Sequence, residues 1–351
     1  MRATTCTPRA MPGATRLLAV QLGMVLAWSS GFVGYRYAME QAPVFLTSFW
    51  RFAVCLALLL PFAWAGLRRL SARQWRRQAL IGALAYAGYI APIAKAIELG
   101  VSPGVAALMA DLLPLLVALL ALVLPGQRTR PGQWPGIALG VAGVLWAGHA
   151  ALALGRAPGW AYGLPLLVAL LALVLPGQRT RPGQWPGIAL GVAGVLWAGH
   201  AALALGRAPG WAYGLPLLGM LALALATLLQ KRWDDAPGSL AVVLFVQIGA
   251  ALPAFAGLAL AEGSLRPPLS GGFLFGLAWL VLLPTFGGYG LYWLGLRHLS
   301  AQGGSAALYL SPALTLLWAH WMFAEPLTPM LLGGLLLSLA GLGWLYRAEL
   351  R

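Results

Sequence analysis

The sequence has few charged residues and very few acids. Aspartate and glutamate together number 8 in 351 residues, and charged residues of all types make up 9% of the chain, whereas a soluble globular domain carries about 25%. The two cysteines, Cys6 and Cys55, offer no disulfide framework and no metal site. These shortages exclude an ordinary soluble domain and a disulfide-stapled one.

Long apolar runs make up most of the chain. Hydrophobic residues account for 60% of it and the mean hydropathy is +0.80. Runs of about 20 residues, the length that crosses a bilayer, recur from Leu17 to the C-terminus. Such runs must be helical, because lipid offers free backbone groups no partners. We predict an all-α polytopic membrane protein with twelve helices, near 17–38, 44–64, 78–99, 104–124, 135–154, 160–175, 186–205, 213–230, 239–261, 272–296, 304–323 and 329–347.

The basic residues orient these helices. A net charge of +15 would point to nucleic acid in a soluble chain, but here the arginines cluster in short loops, as cytoplasmic anchors of membrane helices do. With the N-terminus inside, seventeen Lys and Arg fall on the cytoplasmic side and three outside. We therefore expect both termini in the cytoplasm and no nucleic-acid partner. Arginine outnumbers lysine 21 to 2, which is typical of a GC-rich bacterial genome and so indicates the inner membrane.

One segment occurs twice without a single substitution. Residues 113–163 are repeated as 164–214, a unit of 51 residues. The identity indicates a recent duplication or an assembly error. The extra copy adds two crossings, so the topology downstream is unchanged, and we expect a peripheral two-helix hairpin. The predicted organisation is a cytoplasmic tail (1–16), a first repeat (17–163), the duplicated hairpin (164–214) and a second repeat (215–351).

An older repeat lies beneath the identical one. The segment GYIAPIAKAIELGVSPGVAAL (88–108) is similar to GYGLYWLGLRHLSAQGGSAAL (288–308), and further Pro, Gly and Trp positions match downstream. Without the duplicated unit the chain would have 351 − 51 = 300 residues, in two parts of five spans each. An odd number of spans inverts the second part relative to the first, as in many secondary transporters. We expect a ten-helix core of two inverted five-helix repeats.

The order of several segments resembles the EamA-type permeases of the drug/metabolite transporter superfamily. The resemblance covers nearly everything from Leu17 to Tyr346 outside the extra copy. The acid at the end of the fourth span is kept in the second repeat as Glu325, whereas the first has Gln127. The resemblance implies ten spans, export of amino acids or other small metabolites, no ATP-binding motif and no cofactor. The segments that carry it are WSSGFVGYRYAMEQAP (28–43), SFWRFAVCLALLLP (48–61), GVSPGVAALMADLLPLLVALLALVL (100–124) and GGSAALYLSPALTLLWAHWMFAEPLTPMLLGGLLLSLAGLGWL (303–345).

Charged residues inside the predicted spans are the candidate site residues, because such charges are costly in lipid and usually face a cavity. Arg51, Lys95 and Asp111 lie at depths that would let them meet and bind an anionic or zwitterionic solute. The alternative is an internal ion-pair cluster, and Lys95 has a second alternative in Glu98, three residues along the same helix.

The remaining candidates are uncharged or titratable. We expect Tyr289 and Tyr309 to line the cavity, while His320 and Glu325 are candidates for proton coupling, histidine because its pKa is near neutrality. Most of the five tryptophans Trp28, Trp50, Trp293, Trp318 and Trp321 are predicted to be belt or packing residues.

Other classes of protein find less support. There is no HExxH, no GxSxG and no phosphate-binding glycine loop, so an enzyme is disfavoured. A non-transporting scaffold would have no need of an inverted repeat. Gly136 and Gly140, with their copies, form GxxxG spacings that permit close helix contact. We expect those contacts within one chain, so a homodimer has no support.

Overall fold

The computed structural model describes residues 14–101, 208–233, 239–299 and 307–323, with individual residues between 106 and 120, and this part of the chain is helical without strands. Six stretches in it are long and apolar enough to cross a membrane, and they confirm a multi-pass helical protein. The duplicated unit before residue 208, most of the span near 104–124 and the span near 329–347 lie outside the described residues. The six stretches are Leu17–Met39, Val44–Leu67, Ala72–Glu98, Gly210–Arg232, Leu240–Ala261 and Gly271–Leu296.

Nine α-helices build these stretches and the segment after them. Two stretches each contain a π-helical segment, and 3-10 turns at Gly210–Tyr213 and Ala307–Leu310 precede two of the helices. The α-helices are α1 (Ala14–Met39), α2 (Val44–Leu67), α3 (Ala72–Gly82), α4 (Tyr89–Glu98), α5 (Gly214–Arg232), α6 (Leu240–Ala261), α7 (Gly271–Leu280), α8 (Gly290–Leu296) and α9 (Ser311–Phe323).

The third stretch begins earlier than the sequence predicts. We placed its start near residue 78, but α3 begins at Ala72. A capping box explains the difference: the Ser71 side chain accepts from the Gln74 backbone N–H, and the Gln74 side chain accepts from the backbone N–H of Ser71. Two otherwise unpaired backbone donors are thereby satisfied. The arginines at 73, 76 and 77 therefore lie on a helix and not in the loop.

Two π-helical segments interrupt the third and sixth stretches. One covers Ala83–Gly88 and leads from α3 to α4, and the other covers Val281–Tyr289 and leads from α7 to α8. Proline, which removes a backbone donor and displaces the carbonyl four residues before it, lies near both, as Pro92 in α4 and Pro284 within the second segment. The first segment ends at Gly88 and the second at Tyr289, so each ends within one of the two Gly-Tyr pairs that the older repeat aligns. Wide helical turns of this kind occur mostly as short bulges at functional sites.

The N-terminal helices pack mainly against the later ones. The most extensive contacts join α2 to α6, α1 to the second π-helical segment and α4 to α5. Gly31 of α1 permits one of these approaches, because a Cβ at this position would lie 3.0 Å from Cβ of Pro284. The interface between α1–α4 and α5–α9 is therefore the centre of the described bundle, and the candidate site lies in it.

The bundle has two ends, which we name by one residue each. At the Glu262 end, the side chain of Glu262 contacts the start of α2, and the Trp50 indole donates to the Leu265 carbonyl at 2.9 Å. At the Trp233 end, the Arg77 guanidinium lies 5.1 Å from the centre of the Trp233 ring.

Candidate functional site

Arg51 is a buried cation at the interface between the two sets of helices. Its side chain is 2% exposed. Its Nε donates to the Thr285 hydroxyl at 2.7 Å, and its Nη1 donates to the Tyr35 hydroxyl at 3.1 Å. Within the described residues no carboxylate pairs with it. The positive charge is thus held there by neutral oxygen atoms.

The hydroxyl groups around Arg51 are arranged as acceptors. Ser48 Oγ donates its only proton to the Val44 carbonyl at 2.8 Å, so the 2.9 Å bond to Tyr35 uses the Tyr35 proton. Thr285 Oγ1 likewise donates to the Leu280 carbonyl at 2.8 Å, across the wide turn of the π-helical segment. Both hydroxyl oxygens that face Arg51 are therefore free to accept from it. The π-helical geometry at Thr285 is part of the site.

A small cavity opens beside Arg51. Its volume is about 40 Å³. Most of its wall is apolar or aromatic, and among the described residues of the lining Arg51 is the only charged one. The wall draws on α1, α2, α4 and the second π-helical segment, through Trp28, Gly31, Phe32, Tyr35, Arg51, Tyr89, Ile90, Ile93, Pro284 and Tyr289.

Trp28 organises the aromatic part of this wall. Its Nε1 donates to the Tyr89 hydroxyl at 3.2 Å, and its ring centre lies 4.7 Å from that of Tyr289. The Tyr289 hydroxyl donates to the Ala85 carbonyl at 2.7 Å, and its ring stacks on Tyr86 at 4.2 Å. Each ring is thus held by a hydrogen bond, by ring contacts or by both. The wall is a pre-arranged surface for flat or apolar groups.

The structure brings together two of the predicted site residues, Arg51 and Tyr289, in one cavity lining. Lys95 is not in that lining. It lies at the Glu262 end, where it forms an ion pair with Glu98 and its Nζ sits 5.7 Å from the centre of the Phe45 ring. Residues three apart are neighbours on a helix surface, so the local pair forms and the cluster with Arg51 does not.

The other predicted site residues are placed only in part. His320 is half-buried in the last turn of α9 and is not in the cavity lining. Tyr309 belongs to the 3-10 turn Ala307–Leu310, but its side chain lies outside the described part. Asp111 and Glu325 fall outside the described residues altogether.

Sequence reasoning missed several residues of the site. Trp28 was assigned to packing or belt, yet it lines the cavity, and Tyr35 and Thr285 hold Arg51. Tyr89 had a usable signal, because the older repeat aligns it with Tyr289 and both line the cavity. Tyr35 and Thr285 had none, since a hydroxyl in an apolar helix shows its partner only when the helices pack.

The fold and the site together define a multi-pass helical membrane protein with one buried cation in an aromatic cavity. The EamA-like transporter family matches residues 16–148 and 210–347, which is more than half of the chain. The chain belongs to the EamA-like transporter family. Its partners are accordingly a small-molecule solute and the lipid bilayer.

Structural comparison agrees on the fold. A solved crystal structure, described only as that of a protein, is similar with a TM-score of 0.61 at 17% sequence identity, covering 96% of this chain and 99% of the other. At this identity the similarity concerns the fold alone. No curated protein matches the chain.

Proposed function

We propose that this protein is a secondary transporter that exports small metabolites such as amino acids by alternating access. The buried charge of Arg51 is the observation that carries the proposal. A buried charge is costly unless an opposite charge or strong hydrogen bonds compensate it, and the described residues offer Arg51 only hydroxyl groups. A solute carboxylate would supply the missing charge.

The cavity wall supports the same class of solute. A carboxylate beside Arg51 would be held by a charge-assisted hydrogen bond in a water-poor environment, where it is stronger than in water. Trp28, Tyr89 and Ile93 would cover the apolar part of the solute. The solute is therefore an anion or zwitterion with a carboxylate.

The size of the cavity indicates a closed arrangement. A volume of about 40 Å³ holds only a few water molecules, since each needs roughly 10–15 Å³. A metabolite would fit only after the walls separate. The π-helical segment Val281–Tyr289 contributes Pro284 and Tyr289 to the wall and departs there from regular α-helical geometry, so we expect the separation to occur there.

The charge distribution supports an orientation. The Trp233 end carries Arg68, Arg69, Arg73, Arg76, Arg77, Lys231, Arg232 and Arg297, whereas the loop 262–270 at the Glu262 end carries Arg266 alone. Because loops rich in Lys and Arg stay in the cytoplasm, the Trp233 end faces inward and the Glu262 end outward. Both termini are then cytoplasmic, in a bacterial inner membrane.

A flux screen tests the proposal. Proteoliposomes with the purified protein are loaded with amino acids and related carboxylates, and efflux is followed with and without a proton gradient. We expect efflux of at least one carboxylate-bearing solute, and its loss in Arg51→Ala. Lys95→Ala is the matched control: it also removes a cation from a membrane span, but one that lies outside the cavity, and it should transport normally.

Each outcome has a distinct meaning. Equal loss of efflux in Arg51→Ala and Lys95→Ala would favour the predicted cluster of Arg51, Lys95 and Asp111. Normal flux in Arg51→Ala would end the assignment of Arg51 as the carboxylate site. A folded protein that moves none of the solutes would favour a non-transporting scaffold.

A further inference from the structure

A carboxylate from the later helices caps the helix that carries Arg51. Glu262 follows the last residue of α6, and its Oε2 accepts from the backbone N–H groups of Phe45 at 3.0 Å and Leu46 at 3.2 Å. These are the second and third residues of α2, whose own N-cap, Pro43, has no side chain that can accept. Glu262 thus supplies from another helix the cap that the local sequence lacks, and its negative charge suits a helix N-terminus.

A second bond fastens the same two segments. The Trp50 indole of α2 donates to the carbonyl of Leu265 at 2.9 Å, in the loop that follows Glu262. The first two turns of α2 are therefore bonded to Glu262 and to Leu265, which are the two ends of one short loop segment. Arg51 directly follows Trp50, so movement of this part of α2 moves the cation of the cavity as well.

The surroundings of Glu262 disfavour its negative charge. Its Oε1 is buried and has no hydrogen-bond partner among the described residues. Burial raises the pKa of Glu262, and the nearby Glu98 carboxylate adds to this, while the two backbone N–H bonds and Lys95 act in the opposite direction. Among the described residues of the loops at this end, the other charged side chains are those of Glu40 and Arg266, and both are exposed.

We propose that Glu262 is a proton-responsive latch that closes the outer end of the transporter by joining α6 to the N-terminus of α2. The latch is shut in the arrangement described here and must release α2 when the cavity opens outward. This inference rests on the proposed transport function for its role, but its geometry is independent of the solute.

The direction of the pH response follows from linkage. When the latch opens, Glu262 becomes exposed and its pKa returns toward the ordinary value, so the closed form binds the proton more tightly than the open form. Low pH therefore favours the closed form, and rising pH favours opening. The neutral carboxyl still accepts the two backbone N–H bonds through its carbonyl oxygen, so protonation does not break the cap.

Distance measurements between spin labels test the latch without any solute. Labels are placed on Glu40→Cys, in the loop before α2, and on Leu269→Cys, in the loop after α6, two exposed positions, in a Cys6→Ser background. Cys55 has 0% exposure and stays in place. Double electron–electron resonance in nanodiscs between roughly pH 5 and 8 should show the short-distance population falling as the pH rises.

Two variants sharpen the test. Glu262→Gln imitates the protonated side chain and should keep the short-distance population at every pH. Glu98→Gln, the matched control, removes a neighbouring carboxylate that raises the pKa of Glu262, so its response should remain with a midpoint at lower pH. The latch is overturned if the wild-type distances do not change with pH, if they change in the opposite direction, or if Glu262→Gln responds as the wild type does.

The distance measurements test the latch and the flux screen tests the proposed function, so one proposal can fail while the other holds. A pH response that Glu262→Gln abolishes, in a protein that transports no solute, would keep the latch and end the proposed function. Efflux that depends on Arg51, together with label distances that do not change with pH, would support the proposed function and contradict the latch.

Discussion

Arg51 and Glu262 are two charges that join α2 to the later helices, but their surroundings differ. Arg51 is 2% exposed, lies about two turns inside α2 and bonds only to neutral hydroxyls within the described residues. Glu262 lies just past the end of its span and bonds to two backbone N–H groups at a helix N-terminus. Glu262 therefore bonds to backbone donors that suit a carboxylate, whereas Arg51 has no charged partner among the described residues. On this difference rest the two proposals, that Arg51 binds the solute and that Glu262 closes the outer end.

Replacing Arg51 should give the largest effect, and on transport only. Arg51→Met is expected to reduce efflux of the carboxylate-bearing solute by about 30-fold or more, because the loss of one member of a buried charge pair costs about 2–5 kcal/mol. Its thermal unfolding temperature should stay the same or rise, since methionine removes the cost of burying a charge and Arg51 has no charged partner among the described residues. Efflux and unfolding are measured in one preparation. A variant that fails to fold would show that Arg51 belongs to a structural ion-pair cluster.

Removing the cap should have a smaller effect, and on stability. Glu262→Ala is expected to lower the free energy of unfolding by about 1 kcal/mol, the usual cost of a lost helix cap. Glu262→Gln should cost less, because its amide oxygen still accepts from Phe45 and Leu46. Thermal unfolding in one detergent ranks the three proteins. If alanine and glutamine cost the same, the two hydrogen bonds to α2 contribute nothing.

The pH dependence of unfolding should separate the two charges further. The folded-state pKa of Glu262 is raised by burial, so the contribution of this group to stability is fully present below its unfolded-state pKa and is lost as the pH rises through the folded-state value. The unfolding temperature of the wild type should accordingly fall relative to that of Glu262→Gln as the pH rises through that window. A constant difference between the two proteins would contradict the raised pKa.

Deleting residues 164–214 should have the smallest effect. The deletion joins Gly163 to Leu215 and, because the two copies are identical, preserves the sequence GWAYGLPLL at the start of α5. Among the described residues, the hydrogen-bond partners of Arg51 and Glu262 include none from the removed segment. Abundance and efflux should be equal or higher. Loss of efflux with both termini still cytoplasmic would show that the extra hairpin belongs to the working structure.

The sequence was sufficient for the class of protein and for most of the helices. Length and hydropathy determine a span, because lipid leaves an apolar segment no alternative to a helix, and the described stretches agree with the predicted spans within a few residues except at Ala72. A cation in such a segment also identifies itself, since its cost in lipid requires a cavity or a partner. Arg51 was found in this way.

The partners of these charges were decided by the tertiary structure. Lys95 and Arg51 looked alike in sequence, but Lys95 has an acid three residues away on its own helix. The described hydrogen-bond partners of Arg51 are Tyr35 and Thr285, which the packing of α1 and the second π-helical segment brings to it. Glu262 carried no signal at all, because its partners are backbone N–H groups at the start of another helix. Hydropathy is a property of each segment by itself, whereas a hydrogen bond across the bundle depends on how two segments turn toward each other. For this reason the sequence determined the spans and the buried cation, and only the packing of α1–α4 against α5–α9 determined the cavity and its latch.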